Sequence, residues 1–258
     1  MRRSISAAMF LLCTGGVLAA ADTGFAHLTG GSFRSVLKYE DVKNGTRVAP
    51  FDLQRRPVTN GDFLAFVRAN PQWRRDNVAR VFAEERYLQH WQGPATLGPN
   101  ALPEQPVVWV SWFAANAYCK ARNARLPTWS EWEFASAADE TRRDARSDPA
   151  WRERILAWYS RPSNKALARA GLQAPNAWGV QDLHGLVWEW TEDYSALLVS
   201  DDNRNQGDPD KLKFCGAGAL SMSDVENYAV LMRVAMLSSL NGADATANLG
   251  FRCARDSP

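Results

Sequence analysis

"QDLHGLVWEW", Gln181–Trp190, sets a glutamate between two tryptophans. Burying an unpartnered carboxylate costs several kcal/mol, so Glu189 demands a positive partner: an arginine, a metal ion or a substrate. The stretch also holds Asp182, His184 and Gly185, and it runs on into the acidic "TEDY" at 191–194. A second dense stretch, "RLPTWSEWEFA" at 125–135, places Thr128 and Glu131 at the spacing of a helix capping box. Working outward from these two, the chain carries 11 tryptophans, many turn signals and few long periodic segments, which reads as an irregular α+β fold.

The 258 residues and 46% hydrophobic content suffice for one large domain or two small ones, with a sizeable core. Residues 1–21 stand apart. Arg2 and Arg3 precede the apolar run "ISAAMFLLCTGGVLAA", which ends in small residues and reads as a secretory signal peptide cleaved after Ala21. The run is too short for a membrane anchor and is broken by Thr14-Gly15-Gly16. Cys13 follows Phe10-Leu11-Leu12, without the small residue expected before a lipidated cysteine. The expected organisation is a signal peptide at 1–21 and one domain at 22–258, secreted and periplasmic, with no membrane anchor after cleavage. Loss of Arg2 and Arg3 turns the formal charge of +2 into balance, leaving no electrostatic footprint for nucleic acid. Three cysteines remain, Cys119, Cys215 and Cys253, which in an oxidising compartment allow one pair and one leftover thiol.

Cap residues predict the helices. One starts at Thr59 or Asn60 in "VTNGDFLAFVRANP" and stops at Pro71; one is capped by Ser111 and contains Cys119; one opens at "TWSEWEF". The stretch "DETRRDARSDPAWRERILAWYSR", 139–161, reads as a surface helix with Trp151, Ile155 and Trp158 on its apolar side and solvated charges opposite. The loop "DDNRNQGDPDK", 201–211, lacks the sixth-position Gly and twelfth-position Glu of an EF-hand. There is no G-x-S-x-G elbow, no phosphate-binding glycine loop and no H-E-x-x-H. His27, His90 and His184 lack ligand spacing, which disfavours a zinc hydrolase.

Five blocks carry a resemblance. "GGSF" at 30–33, "PVTNGDFLAFV" at 57–67, "PVVWVSWFAANAYCKARNARLPTWSEWEFAS" at 106–136, "NAWGVQDLHGLVWEWTEDY" at 176–194 and "NLGFRCAR" at 248–255 together resemble the formylglycine-generating enzyme, or sulfatase-modifying factor, family. The resemblance spans nearly all of residues 22–258. It implies a loop-rich α+β fold related to C-type lectin-like domains, and oxidation of a substrate cysteine in sulfatases to formylglycine with O₂ and copper. It also implies a disulfide between Cys119 and Cys253, and a calcium site at Asp182, Gly185, Val187 and Glu189. A salt bridge from Arg252 to Glu189 is the competing reading. A second family calcium site depends on an aspartate where this chain has Gly171, so that site is lost or altered.

The departure lies at the active site. The family's oxidases carry two cysteines separated by four residues, soft thiolates suited to Cu(I). Here "KFCGAGALSMSDVENYAVLMRVAML" supplies Cys215 alone, and the family asparagine of "GNVWEW" is replaced by Leu186. One chain cannot build a bis-thiolate copper site, which counts against the classical cysteine-to-formylglycine activity. Two readings follow. In the first, an oxidoreductase acts on a protein or peptide through a remodelled metal site, with Cys215 as soft ligand beside Met222 or another donor and Arg233 holding an anionic group. In the second, a non-catalytic binding module presents "KFCGAGALSMSD", 213–224, as a recognition loop. Met222, Met232 and Met236 read more simply as core packing. The related ergothioneine-type sulfoxide synthases add a histidine-rich iron domain for which this chain has neither length nor histidines.

Overall fold

Strand β1 (Phe25–Leu28), β2 (Gly31–Phe33), β3 (Thr46–Val48) and β4 (Phe51–Gln54) lead into helix α1 (Asn60–Ala69). After a long irregular stretch come α2 (Trp112–Lys120), α3 (Trp129–Ser136) and α4 (Pro149–Tyr159). The two-residue β5 (Trp188–Glu189), helix α5 (Tyr228–Ser238), β6 (Leu249–Gly250) and β7 (Ala254–Asp256) complete the order. The computed structural model describes residues 24–37, 45–160, 166–197 and 228–257. Residues 1–21, expected to be a signal peptide, the 201–211 loop, Cys215 and Met222 lie outside these residues. No helix among the described residues is long and apolar enough to cross a membrane.

The result is a mixed helix-and-sheet architecture in which short strands act as clasps. The central sheet has the order β1-β4-β7, antiparallel throughout, with Leu28 opposite Phe51 and Phe51 opposite Asp256. The first and last described strands therefore flank the same partner. Strands β2 and β3 form a separate antiparallel pair, and β5 and β6 a parallel one.

The helices start where their caps dictate. Thr59 is the N-cap of α1, its hydroxyl accepting from Asp62 N–H while the Asp62 carboxylate accepts from the Thr59 N–H, so an aspartate completes the box. Ser111 caps α2, and Thr128 with Glu131 forms the capping box of α3. Helix α4 is shorter than the charge pattern suggests: Asp148 is its N-cap and Pro149 its first residue, since proline has no N–H to lose there. Residues 139–148 form an ion-paired loop instead, in which Arg142 bridges Asp139 and Asp148. The expectation of one solvated helix across 139–161 is thus corrected on both counts.

The core is aromatic. Trp129, Trp132, Trp190, Tyr87, Tyr118, Phe51, Phe63 and Phe251 are all essentially inaccessible. Phe63 contacts both Tyr118 and Phe251, which joins α1, α2 and the C-terminal segment in one cluster. The Cys119–Cys253 disulfide ties α2 to the residue preceding β7, with an S–S distance of 2.02 Å across a sequence separation of 134.

Candidate functional site

The parallel pairing of β5 with β6 sets Glu189 beside Gly250 and brings Arg252 under it. Both side chains are fully buried. Arg252 grips the carboxylate with two donors, Nη2 to Oε1 at 2.8 Å and Nε to Oε2 at 2.9 Å, and Trp132 Nε1 donates to Oε2 at 3.0 Å. The guanidinium's remaining hydrogens reach the carbonyls of Gln54 and Gln181. The cation demanded by "VWEW" is an arginine, and the forked geometry fits it. Truncating one member of such a pair costs roughly 3–5 kcal/mol, because the other is left charged in the interior.

This arrangement bears on calcium. Of the four groups implied by the resemblance, the carbonyls of Gly185 and Val187 accept no hydrogen bond among the described residues, whereas Glu189 already accepts three from protein donors. A carboxylate offers about four acceptor positions, and here three are taken, two of them by a guanidinium. As a four-ligand oxygen set these residues do not fit calcium, because Glu189 is committed to Arg252. Asp182, the remaining carboxylate, accepts from Gly171 N–H at 2.5 Å and sits at φ +60°.

Arg233 lies behind this pair. Projecting from α5, its guanidinium is fully buried, 3.6 Å from the centroid of Trp132 and 5.8 Å from that of Trp188. Nη2 donates to the Glu189 carbonyl at 3.1 Å. Nε and Nη1 have no hydrogen-bond partner, nor does the hydroxyl of Tyr159. That phenol is close enough to interact with the guanidinium electrostatically, and burial pushes its pKa up. Burial also pulls Arg233 below its ordinary value, but an arginine keeps its charge in proteins. Among the described residues the carboxylate that acts on Arg233, Glu189, is spent on Arg252, so within them Arg233 has no anion of its own.

A cleft of about 430 Å³ opens where α4 faces the end of α3 and the 173–185 loop. Four residues of α4 at helical spacing, Trp151, Arg154, Ile155 and Trp158, form one wall. Asp182 and His184 lie on the other side. The His184 ring meets Trp132 and Trp151 edge-on, at 5.6 and 5.7 Å between centroids. Its Nε2 lies 3.0 Å from the carbonyl of Ser136, which can only accept, so Nε2 carries the hydrogen. Burial lowers its pKa to about 4, leaving a neutral ring whose enclosed Nδ1 has no partner.

Of the sequence-derived candidates, the structure brings Asp182, Gly185, Val187, Glu189 and Arg233 into one region, with Leu186 beside them. The two described cysteines are bonded to each other, and no group of three or more His, Cys, Asp or Glu that could hold a metal occurs among the described residues. The described residues therefore do not fit copper, and Cys215 and Met222 lie outside them. Sequence reasoning missed His184 and Tyr159. The i, i+3, i+4, i+7 spacing of residues 151, 154, 155 and 158 was visible as an amphipathic face, but nothing in it distinguishes a cleft wall from a core contact.

An aromatic core clasped by short strands and a buried arginine–glutamate pair defines the class, and comparison with known proteins places the chain within it. The family described as "Sulfatase-modifying factor enzyme 1-like domain" matches residues 19–257, and the chain belongs to that family. The formylglycine-generating enzyme of Streptomyces coelicolor is 31% identical over 252 residues, covering 81% of this chain and 79% of that protein. Mouse "Inactive C-alpha-formylglycine-generating enzyme 2" is 29% identical over 280 residues, covering 91% and 86%. Hercynine oxygenase of Mycobacterium tuberculosis is 29% identical over 160 residues, covering 56% of this chain and 38% of that protein. The solved structure of PvdO from Pseudomonas aeruginosa aligns over 90% of this chain and 94% of its own, with 19% identity and a TM-score of 0.47. By their names, the relatives include formylglycine generators, an oxygenase and an inactive member.

Proposed function

We propose that the protein is an oxidoreductase of this family that acts on a protein or peptide through a remodelled site, not by the classical cysteine-to-formylglycine route. The observation that carries this reading is Arg233. A buried guanidinium whose Nε and Nη1 make no well-formed hydrogen bond, with the Tyr159 hydroxyl as a weakly held polar neighbour and two indoles around it, offers donors to an anionic group. A structural arginine in the interior would be expected to carry its own carboxylate. Cys215 is proposed as the reactive thiol and as the soft ligand of any copper. The relation of the fold to C-type lectin-like domains and export to the periplasm belong to the same proposal.

The test is oxygen consumption and copper stoichiometry in the native protein, Cys215→Ser and Arg233→Met. Oxygen uptake with thiol peptides is expected in the native protein and should be lost in both variants, with copper lost only in Cys215→Ser. The competing reading, a binding module without chemistry, is favoured by the single cysteine and by a relative whose name calls it inactive. It predicts neither copper nor oxygen uptake in any form of the protein.

A further inference from the structure

An asparagine followed by glycine is a step at which a polypeptide readily attacks itself, because a residue without Cβ leaves its backbone nitrogen open to the preceding carboxamide carbon. The chain has three such steps, Asn44–Gly45, Asn60–Gly61 and Asn241–Gly242. The first straddles the edge of the described residues. The other two lie in opposite settings.

Asn60–Gly61 is locked. Asn60 is buried at the start of α1, its Nδ2 donates to Leu102 O at 3.1 Å, and its Oδ1 accepts from Trp91 Nε1 at 2.9 Å. The attacking nitrogen is held as well, since Gly61 N–H donates to Pro103 O at 2.9 Å. Asn241 is exposed in the turn between α5 and β6, outside any helix or strand. Its Oδ1 accepts no hydrogen bond among the described residues, and its Nδ2 has only Asp244 Oδ2, at a slack 3.5 Å. Gly242 N–H donates to no acceptor among the described residues, although the carbonyl of the same residue accepts from Trp112 N–H at 2.9 Å. Phe113 and Tyr194 close over Gly242, where a Cβ would meet each at 2.9 Å, so the position holds glycine and keeps the step reactive.

We propose that Asn241 is a site of spontaneous covalent modification, converting through a succinimide to aspartate and isoaspartate. The Gly242 nitrogen loses its proton to hydroxide and bonds to Cγ of Asn241. The Cγ–Nδ2 bond breaks, and the leaving amide takes up a proton and departs as ammonia. Water then opens the ring at either carbonyl; no electrons are exchanged. Either product sets a carboxylate beside Asp244, whose Oδ2 accepts from Asn241 N–H at 2.8 Å, and like charges in one turn repel. Isoaspartate also routes the main chain through the side-chain carbon and lengthens the turn. Gly242 and Ala243, whose carbonyls hold Trp112 N–H and Glu84 N–H, are displaced with it. None of this rests on the oxidase reading.

The experiment ages the full chain in mildly alkaline and mildly acidic buffer, natively and in urea, and follows the tryptic peptide Val234–Arg252 and the one carrying Asn60 by mass spectrometry. Val234–Arg252 should first lose the mass of ammonia and then gain that of an amide turned to an acid, with fragmentation placing both changes at Asn241. In urea the two steps should convert at the same rate. In the native protein Asn241 should stay within about tenfold of that rate and Asn60 fall below about a hundredth of it, because only Asn60 waits for a larger opening. Aged native protein should show a lower urea midpoint. Asn241→Gln, at an exposed position and with a side chain that closes the ring far more slowly, should age without that fall. Native conversion of Asn241 as slow as that of Asn60, a rate no faster in alkaline buffer, or an equal fall of the midpoint in aged Asn241→Gln would each overturn the proposal.

Discussion

Glu189 and Arg252 hold each other in the interior, and their replacement separates geometry from charge. Glu189→Gln keeps the shape but strands the Arg252 charge beside Arg233, so unfolding free energy by urea denaturation should fall by roughly 3–5 kcal/mol. Arg252→Lys keeps the charge but loses the fork, and should be destabilised as well. A loss below about 1 kcal/mol in Glu189→Gln would mean the pair is not the anchor described here. His184 makes a second residue-scale prediction. Its folded pKa of about 4 lies below the ordinary value of 6.5, so between those limits the unfolded chain binds the extra proton. Its contribution is complete above pH 6.5 and is lost as pH falls towards 4. His90, also lowered to about 4 by burial and Arg75, acts in the same direction. The raised pKa values of Glu133, Asp182 and Asp193 act oppositely, favouring the folded state as they protonate. In His184→Phe, the fall in stability between pH 6.5 and 4.5 should shrink, by at most about 1.4 kcal/mol per pH unit. An unchanged slope would place the proton elsewhere.

At the scale of elements, what could be read in advance was what local chemistry decides. Thr59, Ser111 and Thr128 announce their helices because a cap hydroxyl satisfies orphan N–H groups whatever lies far away in the chain. Thr128→Ala should therefore cost about 1 kcal/mol in urea denaturation, and a negligible change would show that burial of Trp129 and Trp132 alone holds α3. The extent of α4 was misread because Arg142 and Arg146 fit a polar helix face as well as a loop. Their pairing with Asp139, Asp144 and Asp148, two to six residues away, fits a loop as readily as a helix, and the charge pattern does not say which forms. The pairing of β5 with β6 was equally hidden, since two-residue strands leave no periodicity to detect. The candidate site was half legible for the same reason. Its carboxylates stood out as charges among tryptophans, whereas His184, Tyr159 and the choice of Arg252 over a metal depend on contacts between segments far apart in sequence.

At the scale of the whole molecule, both ends of the described chain meet on β4, and the last residues carry three unrelated ties at once. Arg252 neutralises Glu189, Cys253 bonds Cys119, and β7 completes the sheet. The disulfide closes a loop of more than 100 residues, for which chain-entropy reasoning allows about 5 kcal/mol as an upper figure. If residues 1–21 are a signal peptide, the exported protein should begin at Asp22 on N-terminal sequencing. The two ends should therefore respond differently to removal. A chain starting at Asp22 should keep the near-ultraviolet circular dichroism and cooperative urea transition of the full chain. A chain ending at Gly250 loses Arg252 and Cys253 together and leaves Glu189 charged and alone under Trp132. Together these losses are comparable to the 5–15 kcal/mol stability of an ordinary domain. It should lose its tryptophan near-ultraviolet signal even where helical signal survives. Adding back the segment 251–258 as a synthetic peptide, with Cys253 free to pair, should restore part of that signal. A chain ending at Gly250 that unfolds cooperatively at the full chain's urea midpoint would show that the aromatic core needs neither tie.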